Sequence, residues 1–598
     1  METIEIKISK GQKLSEVLPA IETNTIINKT ICGCGATTLE LNTPRHSVII
    51  EPNLPVILGK KEKHDFLFGV YEGVSQKDIE KYLYDNYNDG FYKIMTTPES
   101  FIRVKRAIWE FGMSIHRDFF ILFDECDKST LDVGYRKTII LPVSDFFKAE
   151  NKAMVSATPI IIEDPRFEEQ NFRIVKIVPT YDYRQDLTLI PTNNVYTTLR
   201  KYLADIPEGE TVCFFHNSTN GIDRIIEHLD IKNQSNIYCS ADSRDKLIER
   251  GYKNVSDKIE KDGDTLLLNR YNFFTSRFYS AVDIELPYKP IVIMVTEVFY
   301  SSYSTIDPAT EAIQIAGRFR NGISKLVHIT NYNSSAKTWS REKKERFLTE
   351  QHSMFSQLFR LRKNPLSYGE RYMLNQALSR IDYAEFALPS GERNMFMYNN
   401  AFREEEIKRT YLGPSKIEKG YLDTEAFNVN RQWGFFATTD KDRSIVNPPK
   451  YASRVMLNDK ALWQMDKLLR SKDAYDMEYL KQIVELYPAV YRGLVELGLD
   501  GMKSLENLKD KTILDAVRSI TLKRQLLSPE VIKEVYKAFR VGSRYSLAEI
   551  NEKLMGIYDR FEVKYKESGC ANRIPFYFLA EESNKEQDRG WLLQSRIY

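Results

Sequence analysis

Short apolar runs, spaced by longer mixed stretches, dominate the first third of the chain. The runs at 24–28 (Asn-Thr-Ile-Ile-Asn), 47–51 (Ser-Val-Ile-Ile-Glu), 92–96 (Tyr-Lys-Ile-Met-Thr), 118–123 (Asp-Phe-Phe-Ile-Leu-Phe) and 152–156 (Lys-Ala-Met-Val-Ser) read as strands. The segments between them can hold helices, which is the βαβ rhythm of a parallel sheet. The rhythm resumes after about residue 186, with strands expected at 211–215, 236–239, 290–295 and 325–329 and an amphipathic helix at 220–229. After about residue 335 the strand pattern fades. From 455 to 560 the chain reads as helices with start signals: Asn458 before Asp-Lys-Ala-Leu-Trp, Ser528-Pro529-Glu530, and the capping box Ser546-Leu-Ala-Glu549. The natural division is 1–185, 186–335 and a mainly helical 336–598, the second boundary resting on Asn331-Tyr-Asn-Ser-Ser.

Length agrees with several domains, since 598 residues exceed one ordinary core. Hydrophobic content of 42% and charged content of 28% fit a soluble globular chain and exclude a disordered one. A net charge of +2 means that any polyanion site must be a local patch. Cys32, Cys34, Cys126, Cys213, Cys239 and Cys570 contain no CxxC and read as reduced cytosolic thiols. The N-terminus lacks a signal-peptide pattern and no apolar run approaches membrane-span length, so a cytoplasmic protein without membrane attachment is expected. Abundant Tyr (35) and Phe (32), with frequent Asn, Lys and Ile, suit an AT-rich genome such as that of a phage or mobile element. In that case the location is the host cytoplasm.

The candidate chemistry lies where strands end. Asn-Thr-Ile-Ile-Asn is followed by Cys32-Gly33-Cys34-Gly35-Ala36-Thr37-Thr38 and then Leu-Glu-Leu. A glycine-rich turn between strand and helix aims backbone N–H groups at a phosphate, and the helix dipole adds to this. Such a loop usually carries a lysine for the β- and γ-phosphates, and here Ala36 holds its place. Lys29, at the start of the loop, is the best local substitute. Thr37, or failing that Thr38, would offer a hydroxyl to Mg²⁺. Downstream, the apolar run Ile-Leu-Phe ends on Asp124-Glu125. An aspartate there suits Mg²⁺, and the adjoining glutamate suits polarisation of an attacking water.

In order and spacing these motifs resemble superfamily 2 helicases and translocases, over roughly residues 20–335. The acidic box, of DEAD/DEAH type, is written Asp124-Glu125-Cys126-Asp127. Ser156-Ala157-Thr158-Pro159 matches the element that couples nucleotide state to nucleic-acid binding. Glu51-Pro52-Asn53-Leu54 and Thr96-Thr97-Pro98-Glu99-Ser100 resemble the motifs after the second strand and at the nucleic-acid phosphates. Phe214-Phe215-His216-Asn217-Ser218 resembles the strand-end motif of the second lobe. Phe274-Thr275-Ser276, with Ala281-Val282-Asp283-Ile284 after it, resembles the Thr-Ser…Gly-Asp-Ile element, with alanine in the glycine position. Gln314-Ile-Ala-Gly317-Arg318-Phe319-Arg320 resembles a shortened arginine-finger motif.

The resemblance implies an α/β fold: two tandem RecA-like parallel-sheet P-loop NTPase domains plus a mainly α-helical C-terminal domain. It implies ATP and Mg²⁺ held by Lys29, Gly33, Cys34, Gly35, Ala36, Thr37, Thr38, Asp283 and Gln314, with Thr37 and Asp124 on the metal. Asp124, Glu125, Arg318 and Arg320 are the implied catalytic residues, either arginine being eligible as the finger. DNA or RNA would be held mainly through phosphates at Thr97, Pro98, Thr275 and Ser276, though the two threonines also suit plain strand-end roles. No clear adenine-reading glutamine stands upstream; Gln12 is a weak candidate.

Two function classes follow. One is an active ATP-dependent helicase or translocase in replication, recombination or repair, supported by Glu125 and the Gln314–Arg320 motif. The other is a non-catalytic nucleic-acid-binding or scaffold protein, supported by Ala36 and the compressed arginine motif. A packaging motor is disfavoured by the second-lobe motifs. In the C-terminal region, Arg403-Glu-Glu-Glu-Ile-Lys-Arg409 reads as a solvated helix face. Lys408, Arg409, Tyr411, Lys416 and Lys419 mix cations with an aromatic, as nucleic-acid surfaces do. The region can also be read as a partner-docking module.

Overall fold

A computed structural model describes residues 1–87, 90–259, 261–262, 265–280, 283–362, 367–436, 438–446, 452–471, 474–563, 565, 569–585 and 588–598. Ala281 and Val282, part of the Thr-Ser…Asp-Ile element, lie outside them. The chain divides into two compact units, Met1–Phe435 and Phe436–Tyr598.

The first unit contains two eight-stranded sheets. The first is built from β1 (Thr3–Ile8), β2 (Thr25–Asn28), β3 (Ser47–Ile50), β4 (Leu67–Val70), β5 (Lys93–Thr96), β6 (Phe120–Asp124), β7 (Asn151–Ser156) and β8 (Arg173–Pro179). Its order is β1-β8-β2-β7-β6-β3-β5-β4, with every pairing parallel. The central strands are buried on both faces because helices cover both, so their sequences read as continuous apolar runs. Val48, Ile50, Ile121 and Phe123 point into one core and Ile49, Leu122, Ala153 and Val155 into the other. The loop strand β2 and the acidic-pair strand β6 are separated by β7, which carries Ser156. That places Asn28, Ser156, Asp124 and Ile50 along one carboxyl-end edge.

The second sheet follows the same plan. It uses β9 (Gln185–Pro191), β10 (Val212–Phe215), β11 (Ser235–Tyr238), β12 (Val255–Ser256), β15 (Tyr271–Phe274), β16 (Ile291–Thr296), β17 (Lys325–Thr330) and β18 (Phe427–Arg431). A small hairpin, β13 (Lys261–Asp262) with β14 (Thr265–Leu266), stands outside it. The order is β12-β11-β15-β10-β16-β17-β9-β18, again all parallel. The fold is therefore α/β, with two tandem RecA-like sheets.

The expected boundary at residue 335 does not close this unit, because β18 adds to the sheet edge beside β9. Tyr411, Ile417, Tyr421 and Phe427 complete one core of the second sheet. The helix Met395–Thr410 also reaches the first lobe, where Phe396 and Met397 join its core. Arg403–Arg409 is accordingly not a solvated face. Arg403 donates to both carboxylate oxygens of buried Asp307, Nη2–Oδ1 2.6 Å and Nε–Oδ2 2.8 Å, and Glu405 is buried. Tyr411 is no exposed platform either: its buried hydroxyl donates to the Ile306 carbonyl at 2.7 Å.

The second unit is mainly helical, with helices Arg454–Leu469, Ala474–Leu486, Pro488–Lys503, Asp510–Leu526, Pro529–Ala538 and Leu547–Arg560. A three-stranded antiparallel sheet, β19 (Arg544–Ser546), β20 (Phe578–Lys585) and β21 (Asp588–Arg596), packs within it. Ser528 and Ser546 cap their helices as the sequence implies, the latter with a complete capping box to Glu549. Asn458 is not a cap. Ser453 caps that helix, and Asn458 lies buried inside it, donating to the Leu508 carbonyl and to Asp510. Among the described residues no helix is long and apolar enough to cross a membrane. All six cysteines are free.

The Arg403–Asp307 pair makes the fold testable. Removing one partner of a buried ion pair strands the other charge, at a cost of about 3 kcal/mol or more. Arg403→Ala should lose stability on that scale in chemical denaturation, and adding Asp307→Asn should restore part of it. A loss below about 1 kcal/mol would show that the pair is not needed to hold the helix.

Candidate functional site

The loop after β2 turns sharply before the helix Ala36–Asn42. Thr30, Gly33 and Gly35 all have positive φ, at 57°, 78° and 92°. Asn28 Oδ1 accepts the Thr30 N–H at 3.0 Å and steadies the first bend. Gly33 is favoured by its positive φ, and its lack of a side chain lets the Arg320 guanidinium approach, since a Cβ there would stand 2.7 Å from Nη1. Ala36 is buried and packs in the apolar core with Leu39 and Leu41.

Lys29 turns toward the acidic pair. Its Nζ lies 3.2 Å from Glu125 Oε1 and 3.7 Å from Asp124 Oδ1, and all three residues are buried. Burial disfavours the ammonium, yet the carboxylates of Glu125 and Asp124 overcome this and hold its pKa above the ordinary lysine value. Reciprocally, burial works against ionised Glu125, but Lys29 and then Arg318 keep its pKa below the usual carboxylate value. Glu125 adopts φ 45°, an uncommon conformation for a side-chain-bearing residue. Its amide donates to Asp124 Oδ1 at 3.0 Å, and the Cys126 amide donates to the Val155 carbonyl.

Thr37 and Thr38 separate clearly. The Thr37 hydroxyl donates to Asp124 Oδ2, whereas Thr38 Oγ1 accepts from Lys60 Nζ at 3.1 Å. A hydroxyl and a carboxylate converging on one point form a donor set that fits Mg²⁺, and Thr37 with Asp124 are the residues that would hold it. The neighbouring strand contributes Glu51. It is buried, with Oε1 accepting the Asn53 amide and Oε2 without a hydrogen-bond partner. Burial, then Asp124 and Glu125, push its pKa well above the ordinary value.

The second lobe closes on these groups. Arg318, 5% exposed, donates to the Ser280 carbonyl at 2.6 Å and brings Nη2 within 3.4 Å of Cys32 Sγ in the loop. Gly317 must be small here, since a Cβ would meet that sulfur at 2.5 Å. Arg320 donates to Asp283 at 2.6 Å while its guanidinium overlies Gly33. Asp283 is thus a holder of Arg320; burial opposes its charge, but Arg320 lowers its pKa. Gln314 Nε2 donates to Asp127 Oδ2 at 2.6 Å and to Thr158 Oγ1 at 3.1 Å. Asp127 also accepts from Ser156 Oγ at 2.6 Å, and Ser156 accepts the Thr158 amide. Burial and the nearby Glu125 push the Asp127 carboxyl up to about 7. Ala157 is buried beside this bridge. Both arginines therefore reach the loop, and the Ser-Ala-Thr element joins the acidic box to Gln314. The loop residue Cys34 is buried in the same core as Ala36, and Gln12 Oε1 folds back onto the Ser9 amide of its own turn.

A second concavity between the lobes, of about 400 Å³, is lined by Asn53, Lys128 and Arg136 from the first and Asn217, Ser276 and Arg277 from the second. Thr275 lines it too, but its hydroxyl turns to the Tyr238 carbonyl at 3.3 Å. Thr97 and Pro98 are buried, with the Thr97 hydroxyl donating to Ser100. Of the four expected nucleic-acid contacts, Ser276 has the freest face. Sequence reading missed Arg136 and Arg277, whose place in this wall follows only from lobe packing. Arg136 is fixed there by Glu99, with two contacts of 2.8 Å.

No family model matches the chain, and no curated protein matches it. Among solved structures, S. cerevisiae Dbp5 bound to RNA and ADP BeF3 aligns at 14% identity over 52% of this chain and 79% of that one, with a TM-score of 0.34. A DEAD box protein from the hyperthermophile Methanococcus jannaschii aligns at 16% identity, 56% and 86% coverage, and a TM-score of 0.27. The ATP-dependent Type ISP restriction-modification enzyme LlaBIII bound to DNA aligns at 11% identity over 93% of this chain and 39% of that one, with a TM-score of 0.36. The class is set by the sheets themselves: tandem RecA-like lobes with a glycine loop in the first and paired arginines in the second.

The Gln314 bridge yields a direct expectation. Gln314→Ala leaves buried Asp127 and Thr158 without their partner in the second lobe, a loss of about 1–3 kcal/mol. Amide hydrogen exchange should accelerate at 156–158 and 314–318. Unchanged exchange would mean that other contacts hold the lobes together.

Proposed function

We propose that this chain is an ATP-dependent nucleic-acid motor of the helicase or translocase type. The observation that carries this reading is the convergence of Arg318 and Arg320 from the second lobe on the loop and acidic pair of the first. An ATP γ-phosphate bound at the loop would sit between Asp124-Glu125 and the two arginines. Mg²⁺ on Thr37 and Asp124 would neutralise phosphate charge. Glu125 would orient the attacking water, with Lys29 balancing the acidic pair. The arginines would stabilise charge that develops as the phosphoryl group departs.

Coupling to nucleic acid follows from the bridge. Gln314 belongs to the arginine helix and contacts both the acidic box and Thr158, so closure of the lobes would bring the arginines to the loop. The cleft with Lys128, Arg136 and Arg277 offers cations and hydroxyls suited to a phosphate backbone, with weak sequence preference and strong salt dependence. Replication, recombination or repair is the setting we favour, with DNA or RNA as the track. The competing reading is a non-catalytic nucleic-acid-binding or scaffold protein, and Ala36 is the residue that favours it.

ATP hydrolysis with and without single-stranded DNA or RNA separates the two. We expect nucleic-acid-stimulated turnover that falls about 100-fold or more in Glu125→Gln, the scale of losing a positioned general base. A folded chain with no turnover on any strand would leave the scaffold reading.

A further inference from the structure

The cations around the loop are not equivalent. Lys29 faces two carboxylates, and Arg318 and Arg320 both approach Asp283. Lys13 reaches the Gly33 carbonyl at 3.0 Å but is exposed, where its charge is screened by water. Lys60 differs from all of these. It lies on the helix Leu54–Lys63, which follows β3 and the Glu51 turn, and it is partly buried. Its Nζ meets the Thr38 hydroxyl at 3.1 Å, and no carboxylate among the described residues lies within 4.0 Å of it. An ammonium has three donors, so two remain for a group the chain does not supply.

We infer that Lys60 is the phosphate-binding lysine of this site, supplying from a neighbouring helix the ammonium that Ala36 cannot. The assignment rests on the reading of the loop as a nucleotide site and names the residue that completes it. Thr38 fixes the amine at the loop helix, three residues from Gly35, within electrostatic reach of Asp124, Asp283 and Arg320. Burial lowers its pKa in spite of those two carboxylates. A partly desolvated cation with one neutral partner gains most from a bound anion, because the anion restores what burial removed. Lys29 cannot fill the role at equal cost, since leaving Asp124 and Glu125 would bury two uncompensated carboxylates unless Mg²⁺ replaces it. The two lysines then have separate roles, Lys29 balancing the acidic pair and Lys60 binding the terminal phosphates.

Titration of the full chain with mant-ATP and mant-AMP, in MgCl₂, tests this without reference to turnover. Lys60→Met keeps the apolar stem and removes the charge. It should weaken mant-ATP binding about 10-fold or more, the scale of one charge-assisted hydrogen bond, and leave mant-AMP within about two-fold. Lys60→Arg should recover most of the loss. Equal mant-ATP affinity of Lys60→Met and the parent overturns the Lys60 assignment alone. Equal weakening for mant-ATP and mant-AMP also overturns it, because the contact is then not to the terminal phosphates. A folded parent chain that binds no mant-ATP overturns the nucleotide reading as well.

Discussion

The ammonium of Lys29 between Asp124 and Glu125 is the interaction on which the site depends. Parallel pairing of β2, β7, β6 and β3 brings the strand ends together, so three carboxyl groups accumulate at one dry edge. At Glu125, Lys29 and then Arg318 offset the cost of burial, whereas at Glu51 burial and the nearby Asp124 and Glu125 outweigh Lys29 and the Asn53 amide and push the carboxyl well above its ordinary range. The position of the lysine is therefore as much a requirement of the fold as of any chemistry. A cation placed at the strand end, rather than on the loop helix, frees position 36 to become part of the apolar core.

Contact between the lobes is polar at the site and mixed away from it, where apolar packing joins a buried ion pair. Gln314 meets the first lobe through hydrogen bonds to Asp127 and Thr158, Arg318 through the Cys32 thiol, and Arg320 by close approach to Gly33. The helix Met395–Thr410 makes the lasting connection, with Phe396 and Met397 in one core and Arg403 locked to Asp307 of the other lobe.

Much of this was legible in the sequence. The central strands stand within a residue or two of their apolar runs, because burial on both faces leaves no room for polar positions. The edge strands escaped for the opposite reason. Thr3–Ile8 alternates Ile with Glu and Lys, and Phe578–Lys585 is mostly polar, since each has a face in water. β18 was hidden by its distance along the chain from β9, a separation that periodicity cannot span. Within the site, Lys29 and the arginines were visible from motif order, and the structure places all three at the loop. Lys60 carries no motif, and its nearness to Thr38 arises from one helix packing beside another. Thr97 and Thr275 show the converse case, where a residue singled out by motif order has its hydroxyl turned inward by a local hydrogen bond.

The helix Met395–Thr410 has a mechanical consequence. At 16 residues it is a rod about 24 Å long, anchored near its start in one lobe and toward its end in the other. Two bodies fastened to one stiff rod cannot slide freely, and any relative displacement would have to pivot on it. Displacement would then grow with distance from the rod, so small rearrangements near it become large ones at the far lip of the cleft. Lengthening or softening this one helix would change how far the lobes can part without touching a residue of the glycine loop or the acidic pair.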